Sequence, residues 1–477
     1  MNDDDLCRKS ATELLPELKA GKIKAATLMR AVLDRVERLD QQTNGIAHID
    51  PEAAIAEAEA RDAALAAGEP AGEMQGLPVT VKDLLKVKGL PMEMGSFAFE
   101  GQIIDNDAVA IARLRAKGAI PFAKTATPEF GHKVLTDSPT NGISHNPWNL
   151  DRSCGGSSGG SGICAAMGFG PLHVSTDGAG SGRIPASACG VAGIKPTWGA
   201  IPHETTTDIF GSFTCIGVMA RTVCDLAIGL NGMKGPNHMD PWSHGGSTAP
   251  IILPADPASA LKGLRMRVVM RTLNDWVDPE VEAAVLDAVN GLIDAGIKEV
   301  DKIEDPVYDN ANALIYMRSY QYSRFGHLLE KFGDRMDPTA RMSLTPGLQH
   351  TYDMLAKAMR ARTEIFHEIE RQFDEADFYI TPTITTPSLS IDHKQDQPLV
   401  VNGIEHGPLR EAWYPYTVPQ NASGHPAISV PIGMSSSGVP IGMQIVGPWH
   451  SEARLLTVAG AIEALFPWAA HWPPAAV

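Results

Sequence analysis

Two glycine-rich loops, each carrying serine, flank one apolar stretch of this chain, and they limit its local fold more than any other feature. The first is Gly155-Gly156-Ser157-Ser158-Gly159-Gly160-Ser161-Gly162, and the second is Asp177-Gly178-Ala179-Gly180-Ser181-Gly182-Arg183-Ile184-Pro185. Glycine lets backbone approach backbone closely and adopt conformations other residues avoid. Ser157 to Met167 therefore suits a helix entered from the first loop. Leu172 to Thr176 suits a buried strand, which sets Ser181 on the loop beyond it. Backbone N–H groups crowded around a hydroxyl are what acyl transfer requires.

Helical and strand-like stretches alternate along most of the chain, so the expected class is α/β. Ser10-Ala11-Thr12-Glu13 is a capping box opening a short helix that Gly21 can stop. Leu28, Val32, Val36 and Leu39 recur at helical spacing, and Asp50-Pro51 starts a third helix ending near Gly68. Leu77 to Val81 reads as a strand with Lys82 at its end, Asn106 to Lys117 as a helix and Ala119 to Lys124 as the next strand. Residues 235–257 read as a loop. A strand–helix–strand unit follows at Leu264–Met270, Pro279–Ala295 and Ile297–Val300. Tyr308 to Phe373 is mostly helical with a break at Thr345-Pro346-Gly347, and Phe378 to Thr381 returns to strand. Asn402-Gly403 marks a hairpin. Ala427–Pro431 and Ile441–Val446 are closing strands, and Ser451–Leu465 is a last helix. With 477 residues, 44% of them hydrophobic, a large core is available. We expect one domain over 1–477: helices to 70, a core over 71–235, a loop over 236–257, and the rest of the sheet over 258–477, with a helical insertion near 308–373.

A serine hydroxyl is a weak nucleophile until a base removes its proton. No motif places any of the 15 histidines near either loop. Lysine can serve if neutral, and burial lowers its pKa from about 10.4 by up to several units. Lys82, among Val79, Val81, Leu84 and Leu85, has an apolar wall, although a lone lysine is usually a solvated surface group. The first loop lacks the G-x-x-x-x-G-K-[ST] phosphate pattern. Gly156 to Gly160 satisfies G-x-S-x-G, which would make Ser158 the nucleophile of an esterase elbow. Such an elbow follows a buried strand, whereas Asn149-Leu150-Asp151-Arg152 is polar.

Across Gly155 to Pro196 the chain resembles the amidase signature family of serine hydrolases, through the GGSSGGS loop, the run from Thr176 to Ala186, and Cys189-Gly190-Val191-Ala192-Gly193-Ile194-Lys195-Pro196. Gly76 to Asp83, His145-Asn146-Pro147-Trp148-Asn149, Gly424-His425-Pro426-Ala427 and Gly438 to Gly447 extend the resemblance over nearly the whole chain. It implies a large mixed β-sheet surrounded by helices and a Ser–cisSer–Lys triad. Ser181 would be the nucleophile, Ser157 the proton bridge after a cis peptide bond, and Lys82 the base. N–H groups of Gly178, Ala179, Gly180 and Ser181 would form the oxyanion hole, with Ser158, Asp177 and Arg183 in support. Ser161 is expected to pack or cap rather than react. Ala179 departs from the glycine common in relatives, and Cys154 stands where proline or a small residue is usual.

The resemblance implies cleavage of small amides, with carbamates, anilides and esters open, and the apolar residues around the motifs point to apolar or aryl groups. The apolar walls expected around the substrate are Phe130, Leu135, Ile209, Phe210, Met317 and Tyr320. An alternative is the glutaminase subunit of a tRNA-dependent amidotransferase. In such subunits glutamine usually follows the arginine, where this chain has Ile184. The net charge of −16 argues against nucleic acid and anionic membranes as partners. No metal or organic cofactor is implied. The six cysteines lack metal-ligand spacing. The acidic start Met1-Asn2-Asp3-Asp4-Asp5 carries no apolar leader. A cytoplasmic monomer or homodimer acting on a small molecule is the expectation.

Overall fold

The computed structural model describes residues 3–206, 208–210, 213–272, 274–301, 306 and 308–477. Met1 and Asn2 of the acidic start lie outside them. The architecture is an eleven-stranded mixed sheet wrapped by helices. In chain order its strands are β1 (Ile46–Ile49), β2 (Pro78–Lys82), β3 (Ile120–Thr125), β4 (Leu172–Asp177), β5 (Ala192–Lys195), β6 (Cys215–Ala220), β7 (Arg265–Val268), β8 (Lys298–Glu299), β9 (Phe378–Pro382), β10 (Ala427–Met434) and β11 (Pro440–Val446). Across the sheet they run β1-β3-β2-β4-β6-β5-β10-β11-β9-β7-β8.

Strands β2, β3 and β4 are parallel, with Val81 beside Lys124 on one side and Val174 on the other. The carboxyl ends of β2 and β4 therefore emerge together, where α/β sheets generally hold ligands. All residues of β2 and β4 are buried, as strands covered on both faces must be.

The capping box at Ser10 forms, with Ser10 Oγ accepting from Glu13 N and the Glu13 side chain accepting from Ser10 N. The next helices run Ala25–Thr43 and Pro51–Ala66. The helix expected from Asn106 begins only at Val109, because the Asp107 carboxylate is drawn aside to Lys88 N and Arg115. The Asn402-Gly403 turn closes a hairpin of Pro398–Val401 and Ile404–Pro408, with both turn residues at positive φ. The helical insertion comprises Asn310–Phe325, Leu329–Phe332, Pro338–Leu344 and Tyr352–Arg371, and the expected break is a 3₁₀ stretch, Thr345–Gln349. The 235–257 loop contains one 3₁₀ turn, Pro241–Gly245. Among the described residues no helix is long and apolar enough to cross a membrane.

Gly159–Met167 forms a helix whose every residue is buried, lying across β2, β3 and β4. Glycine permits that approach: a Cβ on Gly160 would sit 2.4 Å from Ala126 N. One apolar core fills this side of the sheet, with Val79, Val81, Ile163 and Val174 in it. A second joins the insertion to β9 and β11 through Leu314, Ile365 and Tyr379. A third, smaller cluster gathers Met94, Phe130, Phe325 and Met336.

Candidate active site

Where the second and third clusters meet, a cavity of about 160 Å³ opens over the carboxyl ends of β2 and β4. Ser157 and Ser181 both line it. Lys82 ends β2 directly beneath and is fully buried. Its Nζ lies 2.7 Å from Ser157 Oγ, 2.8 Å from Ser158 Oγ and 3.4 Å from the Thr176 carbonyl oxygen. The Gly156–Ser157 peptide bond is cis.

Burial pushes the Lys82 pKa well below the usual lysine range, with Asp177's negative charge pulling weakly the other way. Ser158 Oγ donates to the Thr176 carbonyl at 3.0 Å. A neutral amine has two N–H groups and one lone pair. The N–H groups then face Ser158 Oγ and the Thr176 carbonyl, which leaves the lone pair for the Ser157 hydroxyl proton. As an ammonium, the same group donates to all three oxygens. Ser158 is thus a spacer that orients the amine. It is fully buried and stands outside the cavity lining, and the strand before its loop is the partly exposed Asn149–Ser153, so the esterase-elbow geometry is absent.

The second loop is held by Asp177. Its Oδ1 accepts from Gly180 N at 2.7 Å, and its Oδ2 accepts from Gly182 N at 3.1 Å and Arg183 N at 3.3 Å. Arg183 clasps the same carboxylate through Nε and Nη2, each at 2.9 Å. Burial alone would raise the Asp177 pKa, but the charge and hydrogen bonds of Arg183 prevail and hold it well below the carboxylate range. The remaining Arg183 donors reach Gln420, Gln444, Asn421 and the Thr417 carbonyl. Gly180 has φ +110°, and a Cβ there would lie 2.3 Å from Thr417 Oγ1, so only glycine fits. One expectation needs correcting. The Gly180 N–H is committed to Asp177, so it braces the loop, and the amides remaining in the expected oxyanion set are those of Gly178, Ala179 and Ser181. Ala179 itself lines the cavity.

Among the expected substrate walls, Phe130, Met317 and Tyr320 line the cavity, with Phe130 stacked on Phe325 at 4.2 Å. Leu135 does not: its neighbour Val134 lines the cavity, and the backbone of both residues packs against Gly156. Ile209 lines a separate small pocket beside Trp198, and Phe210 is 72% exposed. Their loop turns outward, with the Ile209 carbonyl accepting from Trp242 Nε1. The sequence reading missed Arg324, Arg410, Asp208, His132 and His203, all in the lining. A helical stripe, Leu314, Met317, Gln321, Arg324, was the available signal for one of them. Both ring nitrogens of His132 are engaged, by the Glu129 carbonyl and Thr339 Oγ1. Cys154 is fully buried and its thiol is pushed up to about 12, chiefly by burial, which makes it unreactive. Ser161 bonds to Thr125 Oγ1 and the Val174 carbonyl inside the helix packing.

Comparisons with known proteins show the family and the fold. The Amidase family model matches residues 27–456. A glutamyl-tRNA(Gln) amidotransferase subunit from Acidothermus cellulolyticus is 32% identical, covering 97% of this chain and 95% of its own. An acylamidase of Rhodococcus erythropolis is 31% identical, covering 99% and 98%. Among solved structures, 6-aminohexanoate cyclic dimer hydrolase superposes with a TM-score of 0.87 at 30% identity, covering 98% of this chain and 99% of that one. A bacterial aryl acylamidase shares the fold, with a TM-score of 0.88 at 24% identity and coverage of 97% of each chain.

Proposed function

The chain belongs to the amidase family, and from that premise we propose that it hydrolyses the C–N bond of small amides through an acyl-enzyme on Ser181. The observation that carries this reading is the 2.7 Å contact between the buried Lys82 amine and Ser157 Oγ, at a cavity that Ser181 also lines. Neutral Lys82 takes the Ser157 proton while Ser157 takes that of Ser181, and Ser181 Oγ adds to the carbonyl carbon. Negative charge develops on the carbonyl oxygen and is met by N–H groups of Gly178, Ala179 and Ser181. The proton returns through Ser157 to the departing nitrogen, the C–N bond breaks, and the amine leaves. Water then cleaves the ester by the same relay. The wall of Phe130, Phe325, Met317 and Tyr320 favours apolar or aryl groups. Anilides, carbamates and esters that fit there are substrates of the same relay.

A panel of para-nitroanilides, aryl esters and carbamates, followed by intact-protein mass spectrometry, tests the reading. An acyl mass on the Ser181 peptide is expected, and Ser181→Ala should lower kcat by about 10³-fold or more. Full activity in that variant refutes the assignment. The similarity to an amidotransferase component favours a second reading, a glutaminase working with partner proteins. Against it stands Ile184, fully buried and packed against Gly155 and Gly180. Hydrolysis of aryl amides by the lone protein, without release of ammonia from glutamine, excludes it.

A further inference from the structure

The charged residues lining the cavity are Arg324, Arg410 and Asp208. Asp208 is already answered: it accepts from Tyr316 Oη at 2.8 Å, and its charge bears on Arg362. The two arginines are not. Among the described residues neither Arg324 nor Arg410 has a hydrogen bond or ion pair to a carboxylate, in a chain whose net charge is −16. Arg324 closes the cavity-facing stripe of helix Asn310–Phe325, and its guanidinium carbon lies 4.9 Å from the Phe325 ring centroid. Arg324 is half-buried, and burial lowers its pKa with no acid to offset the effect. His203 beside it is pushed down to about 4 by burial and by the Arg324 charge, so it stays a neutral imidazole and offers no counter-charge. A partly desolvated cation without an anionic partner is costly unless a ligand brings the counter-charge.

We propose that the amide cleaved here carries a carboxylate, on its acyl or its leaving part, and that Arg324 binds it while Arg410 adds to the attraction. This rests on the amide-hydrolase reading and deepens it: an apolar body lies along the Phe130–Phe325 wall and an anionic end reaches the guanidinium. Arg324 is a specificity residue in this scheme.

The test is calorimetric binding to Ser181→Ala protein, alongside cleavage by the wild type. One matched pair is glutaryl and pentanoyl para-nitroanilide, with the carboxylate on the acyl side. The other is the pentanoyl amides of para-aminobenzoate and para-aminobenzamide, with the carboxylate on the leaving side. In at least one pair the carboxylate should bind about 10- to 100-fold tighter than its neutral mate, as charge-assisted hydrogen bonds allow. Arg324→Met in the Ser181→Ala background should abolish that ratio, Arg324→Lys should restore part of it, and salt should shrink it. No preference in either pair, or a ratio untouched by Arg324→Met, overturns the proposal. Equal weakening of both members also overturns it, since a structural role would act that way. If binding shows the preference but the wild type cleaves neither member, the hydrolase reading falls and the anion site stands. Equal cleavage of both members has the opposite meaning.

Discussion

Replacing Asp177 with asparagine removes one charge from the centre of the site and leaves its shape nearly intact. Asp177 Oδ1 accepts from Gly180 N and Arg183 Nη2, and Oδ2 accepts from Gly182 N, Arg183 N and Arg183 Nε. Whichever way the new amide turns, its NH₂ group faces at least two donors that have lost their acceptor. Arg183, fully buried, keeps only neutral partners. Breaking a buried pair from one side costs about 3–5 kcal/mol. At about 2.1 cal/mol/K per residue, unfolding 477 residues carries an entropy of about 1 kcal/mol/K, so Tm should fall by about 3–5 °C. The Asp177 pKa is depressed in the folded state. Its contribution is therefore fully present above the unfolded value of about 3.9 and is lost only as pH falls through the lower folded value. The gap between wild type and Asp177→Asn should stay constant from about pH 5 to 8 and narrow only in stronger acid. Thermal melts followed by circular dichroism across that range read both numbers. The Asp177 charge also raises the Lys82 pKa, so the acid limb of the residual activity should move to lower pH. A Tm change below about 1 °C, a gap that widens on acidification, or an acid limb displaced upward would each refute the reasoning.

Lys82→Met should lower kcat/KM by about 10²- to 10⁴-fold, the usual worth of a general base. Because burial depresses the Lys82 pKa, the wild-type rate should fall as pH drops through a midpoint well below about 10.4, and that limb should vanish in the variant; an unchanged pH profile would place the base elsewhere. Gly180→Ala drives a methyl to within 2.3 Å of Thr417 Oγ1 at φ +110°. It should cost about 1–3 kcal/mol in stability and about 10²-fold in kcat/KM through displacement of the loop, whereas near-normal kinetics would mean the loop tolerates the shift.

Local chemistry made much of this molecule legible in advance. Ser10 and Glu13 name a helix start through their own hydrogen bonds, and Asn402-Gly403 names a tight turn because both residues accept positive φ. Lys82 at a strand end followed from the apolar run Leu77–Val81. Strands β5 and β6 were not assigned from sequence: β6 inserts between β4 and β5, a pairing decided by tertiary contact rather than by its own residues. The cavity was harder still, since its wall draws on Phe130, Asp208, Arg324 and Arg410, which lie far apart along the chain. Val134 and Leu135 differ by one step in the loop, and Val134 lines the cavity while Leu135 does not. The clasp of Gln420, Gln444 and Asn421 on Arg183 was not legible: Gln444 falls within the Gly438–Gly447 block, but nothing there pairs it with Arg183.

The parallel pairing of β2 with β4 sets Val81 beside Val174, and successive side chains of a strand point to opposite faces. Inserting or deleting one residue in β2 would turn Lys82 away from Ser157 altogether. A slip of register in β2 is therefore all or nothing for the contact between Lys82 and Ser157. Arg324, Met317 and Tyr320 sit on one helix of the insertion, outside that register. Point changes on that helix reshape the cavity wall without touching the register that holds Lys82 against Ser157.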